Sequence, residues 1–284
     1  MMTHALPGHG HNHGPGHDPT GIADILDLDA VVFAEHTAAI VARLPVERPP
    51  RQIVDLGCGT GAGTFALLAR FPDASVTAVD SSVEHLRRLQ HKAADAGVTE
   101  HVKTVHADLD SEWPALGRPD LVWASAWLHH MTDPERTLRR VHDVLTPGGL
   151  LVVVEPDGFP RFLPDDAPDH RPGLEGRCHE ISDRLHGGRM PHRGSDFGPK
   201  VVAAGFSVEV EYTITATIEG SHCESVGRLA LTGLGRIRDA VADALPAEDL
   251  AALDQLLDPH SPRCLLRRDD LAMRTERTVW AARA

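Results

Sequence analysis

The region between residues 52 and 155 alternates short apolar runs, typical of β-strands, with longer amphipathic stretches, typical of helices. Strands separated by helices form βαβ units, so this region predicts a parallel sheet with helices packed on it. Ligands of such sheets bind at the carboxyl ends of the strands. The predicted strands are residues 53–56, 76–79, 102–106, 121–124 and 150–154, and the predicted helices are 62–70, 83–96 and 134–145.

The remainder of the chain is less regular. Residues 1–19 are mostly Gly, Pro and His and predict a disordered tail, because they offer too little apolar surface to offset the entropy of ordering. A histidine-rich tract can also bind transition metals, which is the alternative for this tail. Residues 20–284 predict a single domain. A helical segment at residues 20–50 precedes the core at residues 51–156. Two insertions, at residues 157–196 and 219–268, are expected to form a lid. Later elements are expected as helices at 177–185, 197–204 and 226–257 and as strands at 206–218 and 272–281.

Composition limits the partners of the chain. The formal charge of -13 disfavours nucleic acid, whose binding needs clustered cations, and favours a small-molecule ligand. No apolar run is long enough to span a bilayer and no export signal is visible, so we expect a cytoplasmic protein without membrane contact, as a monomer or homodimer. The four cysteines are widely spaced, which predicts reduced thiols and no metal site.

A glycine-rich turn directly follows the first predicted strand. Gly57, Gly59 and Gly61 stand at alternate positions just before a predicted helix. Glycine is required where a chain turns sharply and where no Cβ can stand between backbone and ligand, so the pattern predicts a nucleoside-binding turn. Asp80 ends the next strand, where a carboxylate can accept hydrogen bonds from both ribose hydroxyls. Because Ala62 completes the dinucleotide pattern G-x-G-x-x-G/A, these features fit more than one nucleoside cofactor.

Segments further along the chain indicate which nucleoside cofactor the turn binds. Strand three ends in Ala107-Asp108-Leu109, which places an acid and an apolar residue where an adenine edge and face would lie. The fourth strand leads into Trp127-Leu128-His129-His130, and residues 146–150 read Thr-Pro-Gly-Gly-Leu. In this order the motifs resemble the class I, Rossmann-like S-adenosylmethionine-dependent methyltransferases. The likeness is strongest to the branch of ubiquinone and menaquinone C-methyltransferases and small-molecule tailoring enzymes of natural product biosynthesis, and covers about residues 50–156.

The resemblance implies a doubly wound α/β fold with a seven-stranded mixed sheet whose last strand is antiparallel. It also implies S-adenosylmethionine as cofactor, S-adenosylhomocysteine as product and no required metal. The methionine end would lie over the glycines with Asp55 near its amino group, Asp80 and Ser81 would hold the ribose, and the sulfonium would lie by Ser125. Cys58 is expected to pack rather than to react. The implied cofactor contacts are Asp55, Gly57, Cys58, Gly59, Gly61, Asp80, Ser81, Asp108, Leu109, Ser125 and Ala126.

Candidate catalytic groups follow the fourth and fifth strands. A phenol, with a pKa of about 10, must lose its proton before methylation, whereas a neutral amine or a thiolate need not. His129, His130 and Glu155 are the candidate bases, and His130 is preferred because the second histidine should point more toward the acceptor. The alternative is that the paired histidines shape the loop or contact the cofactor.

The acceptor pocket is predicted from an aromatic residue and from the first insertion. Trp127 is expected to form a wall of this pocket, while Trp123 is expected in the core. His179 is a candidate pocket residue. Cationic side chains of the insertion favour an anionic acceptor if they face the site, and a solvated loop surface is the alternative. These cations are Arg161, Arg171, Arg177, Arg184 and Arg189, together with His179.

The leading hypothesis is therefore methyl transfer by in-line displacement to an oxygen or carbon, and less readily to a nitrogen, of a small molecule. Metalloid methylation of the arsenite type is an alternative, but this chain lacks the closely spaced cysteines expected for it. A protein that binds S-adenosylmethionine without catalysis and a nicotinamide-dependent dehydrogenase are further alternatives. Preferential binding of a dinucleotide would support the dehydrogenase.

Overall fold

In the computed structural model, which describes residues 19–284, seven strands form one sheet flanked by helices. The strands are β1 Gln52–Leu56, β2 Ser75–Asp80, β3 Val102–His106, β4 Leu121–Ser125, β5 Leu150–Pro156, β6 Ser207–Glu219 and β7 Ala272–Arg283. The helices are α1 Pro19–Val32, α2 Ala34–Ala42, α3 Ala62–Arg70, α4 Val83–Asp95, α5 Pro134–Val144, α6 Leu174–His186, α7 Gly198–Ala203, α8 Glu224–Val241 and α9 Ala247–Leu257. The predicted tail falls almost wholly outside the described residues.

The sheet has the strand order β3-β2-β1-β4-β5-β7-β6. Strands β1 to β5 pair in parallel, and β7 lies antiparallel between β5 and β6. The central strands β1, β4 and β5 consist almost entirely of buried residues, as expected for strands covered by helices on both faces. The predicted doubly wound mixed sheet with an antiparallel last strand is confirmed.

Local sequence explains where the helices of the core begin. The Ser82 side chain accepts a hydrogen bond from the His85 N–H at the start of α4. At the start of α5, the Asp133 side chain accepts from the Arg136 N–H, and Pro134 occupies a position where its missing N–H is not needed. The cap of α4 fixes that helix two residues after the end of β2, whereas residues 126–133 form a longer loop between β4 and α5.

The expected continuous helical stretch over residues 226–257 is wrong at its centre. Helix α8 ends at Val241 and α9 begins at Ala247, so two helices replace one. Pro246 lies directly before α9 and accounts for the break, because proline lacks an N–H and disfavours helical conformation in the preceding residue. The two helices pack against each other and bury Leu229, Leu234 and Leu253 in the main core.

A buried carboxylate joins the two insertions. Asp249 of α9 is 1% exposed and accepts hydrogen bonds from Arg171 at 2.7 Å and from Arg177 at 2.8 Å. These guanidiniums hold the pKa of Asp249 below its usual value. Since Asp249 lies in the second insertion and both arginines lie in the first, this ion pair fixes the insertions to each other. No helix in residues 19–284 is long and apolar enough to cross a membrane.

Candidate active site

The carboxyl ends of four neighbouring strands bring the predicted cofactor residues to one edge of the sheet. Gly57 follows β1, Asp80 ends β2, Asp108 lies two residues after β3 and Ser125 ends β4. Because these strands lie in the order β3-β2-β1-β4, the residues follow each other along the edge as Asp108, Asp80, Gly57 and Ser125. Residues far apart in sequence thus lie along one edge of the sheet, which we call the cleft.

The glycine turn adopts a conformation that other residues rarely reach. Gly57, Gly59 and Gly61 all have positive φ, at 64°, 51° and 100°. A Cβ on Gly57 would lie 2.0 Å from Cδ1 of Trp127, so the indole packs directly on this glycine. A Cβ on Gly61 would lie 2.7 Å from the Phe65 ring. The turn requires glycine for its backbone angles at all three positions, and for space at Gly57 and Gly61.

Asp80 connects the end of β2 to the glycine turn. Its Oδ2 accepts the Gly59 N–H at 2.9 Å, and its Oδ1 accepts the Ser82 N–H at 2.8 Å. Oδ1 also lies 3.1 Å from Nδ1 of His85. Ser81 is exposed beside it. The carboxylate therefore has a fixed position at the cleft, and Oδ2 keeps a lone pair that can accept from a further donor.

Asp55 and Cys58 lie beneath the turn rather than on its surface. Asp55 is 2% exposed, and its Oδ2 accepts the Thr64 hydroxyl of α3 at 2.6 Å. Burial raises the pKa of Asp55 to about 7. The Cys58 thiol is 7% exposed, and burial raises its pKa well above the usual value, as expected for a packing residue.

The acid and the apolar residue after β3 face different surroundings. Asp108 is exposed at the edge, where its carboxylate accepts the Ser111 hydroxyl at 2.8 Å and the Asp110 N–H at 3.1 Å. Leu109 is 4% exposed and packs in the core with Leu128 and Met131. Asp108 is thus available at the cleft, whereas Leu109 mainly supports it from below.

The loop after β4 is held by Glu155 at the end of β5. One carboxylate oxygen of Glu155 accepts the N–H groups of Trp127 at 3.1 Å and Leu128 at 2.6 Å. The other lies 2.5 Å from Nδ1 of His129. Ala126, just before these residues, has a positive φ of 50°, which is unusual for a side chain with a Cβ. Glu155 and His129 are 4% and 6% exposed, so this pair is a buried anchor for the loop.

His130 lies at the surface end of the same loop. Its ring centre is 4.1 Å from that of His129, and part of the residue is exposed. Protein atoms around the imidazole disfavour its charged form and, together with the nearby His129 and Arg193, lower the pKa of His130 to about 4. Its neutral form therefore dominates at physiological pH.

A cavity of about 630 Å³ opens beyond the end of β5, between the first insertion and strands β6 and β7. The predicted pocket residue His179 lines it, and so does Arg161. Two further cations, Arg193 and Arg274, also line the cavity and were not predicted from the sequence. The charge of Arg193 contributes to the low pKa of His130, so this arginine of the cavity lies near the loop after β4.

Four of the six cations named from the sequence divide between two places, and the side chain of Arg189 lies outside the described part of the chain. Arg161 and His179 face the cavity, whereas Arg171 and Arg177 bind Asp249 between the insertions. Arg184 is exposed on α6. Trp123 is 1% exposed in the core, as expected, while Trp127 packs on the glycine turn. Among the described residues, no cluster of three or more His, Cys, Asp or Glu could hold a metal ion.

Comparison with known proteins agrees with this arrangement. A family described as a methyltransferase domain matches residues 53–149. The chain is 36% identical over 129 residues to a trans-aconitate 2-methyltransferase of Methylobacterium radiotolerans, covering 43% of this chain and 44% of that relative. It is 28% identical over 235 residues to one from Paracidovorax citrulli, covering 78% and 83%. The structure of a putative methyltransferase from Bacillus halodurans superposes with a TM-score of 0.54 at 19% identity, covering 87% of this chain and 97% of that one.

The fold is that of a Rossmann-like protein, with the predicted cofactor residues at the carboxyl edge of its sheet. Residues 53–149 match a methyltransferase domain, and together with the relatives and the fold this match supports a class I S-adenosylmethionine-dependent methyltransferase. The match to the first of these relatives spans less than half of that relative's length.

Proposed function

We propose that this protein transfers the methyl group of S-adenosylmethionine to a carboxylate oxygen of a small organic acid. The cavity beside the loop after β4 carries the proposal, because three guanidiniums line it. Arg161, Arg193 and Arg274 form no ion pair with any carboxylate among residues 19–284. Acidic side chains also line the cavity, but they lie beyond salt-bridge distance of these arginines. Such guanidiniums are suited to bind a carboxylate through paired hydrogen bonds.

Burial strengthens the argument at Arg193. Its guanidinium lies 3.7 Å from the centre of the Phe159 ring, and burial lowers the pKa of Arg193. A partly buried cation attracts an anionic ligand more strongly than a fully solvated cation does, because the surrounding dielectric constant is lower. Arg161 and Arg274 each donate one guanidinium hydrogen bond to a backbone carbonyl, those of Glu175 and Leu163, and their other donors have no partner among the described residues.

The cleft beside this cavity fits the cofactor. Sheet order presents Asp108, Asp80, Gly57 and Ser125 in the sequence expected for adenine, ribose, methionine and sulfonium. The glycine turn has left-handed backbone angles that exclude side chains, and the fixed Asp80 carboxylate beside it suits a ribose hydroxyl. When bound, the cofactor supplies an activated methyl group on a cationic sulfur.

The low pKa of His130 favours an acceptor that needs no base. A histidine with a pKa of about 4 is roughly a million-fold weaker as a base than a phenolate, whose pKa is about 10. A carboxylic acid is already ionised at neutral pH. Its oxygen can form the new O–C bond while the S–C bond breaks, and no proton moves. We therefore assign His130 a hydrogen-bonding role at the acceptor rather than the role of general base.

Glu155 and His129 then act as positioning residues. The Glu155 carboxylate already accepts from two backbone N–H groups and bonds the His129 ring, so it is not free to remove a proton. It fixes the segment that carries Trp127 and His130 between the cofactor turn and the cavity. Correct placement of reactants contributes roughly 7–11 kcal/mol to lowering the barrier in favourable cases.

The names of the two relatives support the same acceptor class, since both act on trans-aconitate, the anion of a carboxylic acid. The proposal is tested by incubating the protein with methyl-labelled S-adenosylmethionine and a panel of dicarboxylic and tricarboxylic acids, phenols and amines. We expect base-labile methyl esters from the acids alone. Label on a phenol or an amine, with none on the acids, would refute the proposal.

A matched pair of variants locates the acceptor site. Arg193→Leu should lower kcat/KM for the acids about 10- to 100-fold, because a charge-assisted hydrogen bond contributes about 1.5–3 kcal/mol. Arg184→Leu removes an exposed cation from the same insertion and should have little effect. Equal losses in both variants would indicate general electrostatic attraction rather than a binding site.

A further inference from the structure

His85 contacts the carboxylate of Asp80, the residue expected to bind the cofactor ribose. Nδ1 of the imidazole lies 3.1 Å from Oδ1 of Asp80. The two side chains are only 14% and 11% exposed, so little water competes for this contact. A carboxylate only accepts hydrogen bonds, and therefore Nδ1 carries a proton whether the imidazole is neutral or charged. The contact is a charge-assisted hydrogen bond that His85 donates to Asp80.

Helix α4 holds this imidazole in place. His85 lies in the first turn of the helix, and its backbone N–H donates to the Ser82 hydroxyl at 3.3 Å. Leu86 and Leu89 of the same helix are buried and pack with Ala78 of β2. The donor therefore stands on a regular element that is packed against β2, rather than on a loop.

The hydrogen bonds of Asp80 leave one place for a ligand. Oδ1 accepts two bonds, from the Ser82 N–H at 2.8 Å and from His85. Oδ2 accepts one bond, from the Gly59 N–H at 2.9 Å. Since a carboxylate oxygen has two lone-pair positions, both positions of Oδ1 are occupied and Oδ2 has one left. A donor on the cofactor can therefore bind Oδ2 without displacing any of the three existing bonds.

We propose that His85 is a positioning residue for the cofactor: it occupies Oδ1 of Asp80 and orients the carboxylate so that Oδ2 binds one hydroxyl of the ribose. This inference rests on the cofactor of the proposed function and is independent of the acceptor. In this role His85 acts through Asp80 and need not touch the ribose. The sequence pattern allowed both ribose hydroxyls to bind Asp80, whereas the hydrogen bonds leave a place for one.

Calorimetric binding of S-adenosylhomocysteine to the full chain, without any acceptor, tests this role. His85→Leu should weaken binding about tenfold, because the carboxylate loses a charge-assisted hydrogen bond that holds it in place. His85→Asn places an amide N–H near the position of Nδ1 and should keep the affinity within about threefold of the parent chain. His91→Leu is the matched control, since His91 is an exposed histidine of the same helix, and it should bind as the parent does.

A double-mutant cycle with Asp80→Ala shows whether His85 acts through the carboxylate. Once the carboxylate is gone, His85→Leu should change the affinity by less than about twofold. A loss that keeps its full size in the Asp80→Ala background would overturn the positioning role, because His85 would then act on the cofactor by another route. An equal loss in His91→Leu would overturn it as well.

The 2′-deoxy and 3′-deoxy analogues of S-adenosylhomocysteine count the hydroxyls that Asp80 binds. One analogue should bind the parent chain about tenfold more weakly than S-adenosylhomocysteine does, and Asp80→Ala should remove this difference. Differences for both analogues that disappear in Asp80→Ala would contradict the single contact at Oδ2. Each ratio compares ligands on one variant, so it stays valid where a substitution leaves part of the protein unfolded.

The outcomes separate the two proposals. If the parent chain binds S-adenosylhomocysteine and His85→Leu binds it equally well, the role of His85 is refuted and the proposed function stands. If the parent chain does not bind S-adenosylhomocysteine at all, both proposals fall.

Discussion

The close contact between Gly57 and Trp127 makes a quantitative prediction about the cofactor turn. In Gly57→Ala, the new Cβ would lie 2.0 Å from Cδ1, 2.1 Å from Cγ and 2.7 Å from Cβ of Trp127. These distances are too short for non-bonded carbons, so the indole or the turn must move. The alanine would also have to adopt the φ of 64° that glycine has there. Two separate penalties therefore act at one position.

Their sizes can be worked out separately. A left-handed backbone costs an L-residue about 1–2 kcal/mol. Overpacking that displaces a side chain costs about 1–3 kcal/mol more. We expect Gly57→Ala to lower the free energy of unfolding by about 2–5 kcal/mol, and to weaken S-adenosylmethionine binding because Trp127 leaves the turn. Gly97→Ala is the matched control: Gly97 has a φ of 69°, and a Cβ there would meet no atom within 4 Å. That variant should show the backbone penalty alone.

Urea unfolding of the variants in a double-mutant cycle measures the coupling free energy between residue 57 and Trp127. The partner change is Trp127→Gly, because the Trp127 Cβ itself lies 2.7 Å from the new atom and an alanine would retain it. In the Trp127→Gly background, Gly57→Ala should cost no more than Gly97→Ala does, giving a coupling free energy of about 1–3 kcal/mol. Additive effects, or equal losses in Gly57→Ala and Gly97→Ala, would refute the packing of Trp127 on the turn.

Four further predictions concern single side chains. Asp80→Ala should weaken S-adenosylmethionine binding about 10- to 100-fold by calorimetry, because a charged hydrogen-bond acceptor is lost, and unchanged affinity would place the ribose elsewhere. The pKa of His130 is about 4 in the folded protein against an ordinary 6.5, so the unfolded chain binds more protons between these pH values and stability falls as pH decreases through them. His130→Ala should reduce that loss, seen in melting temperatures at about pH 5 and 7, and should lower kcat about tenfold with cofactor affinity retained. Asp55 gives the opposite pH dependence of stability. Its pKa in the folded protein, about 7, exceeds the ordinary 3.8, so stability falls as pH rises between these values. Asp55→Asn should therefore raise the melting temperature at about pH 8, and a lower melting temperature would show that the charge is needed. Glu155→Gln weakens the bonds to the loop after β4 and should lower kcat about tenfold at unchanged cofactor affinity, whereas full activity would show that the loop does not need this charge.

Much of the fold was predictable because it depends on short-range patterns. Periodicity located β1 to β5 and the helices α3 to α5 to within one or two residues. The antiparallel last strand was implied by the resemblance to a known family rather than by local pattern. The break between α8 and α9 was missed, although Pro246 marked it, since the apolar pattern continues on both sides of the proline. Local signals thus set the elements, and an interruption inside a long amphipathic stretch was harder to recognise.

The sequence by itself determined which glycines and acids lie together, because residues that directly follow neighbouring parallel strands must meet at one sheet edge. Only the tertiary structure decided which way the side chains face. It placed Asp55 beneath the turn, bound both oxygens of Glu155 to the loop after β4, and brought Arg193 and Arg274 to one cavity from segments about eighty residues apart. It also separated Arg161 and His179, at the cavity, from Arg171 and Arg177, at Asp249. Such pairings arise from long-range packing of irregular insertions, where no periodicity links the partners, and so they cannot be read from local pattern alone.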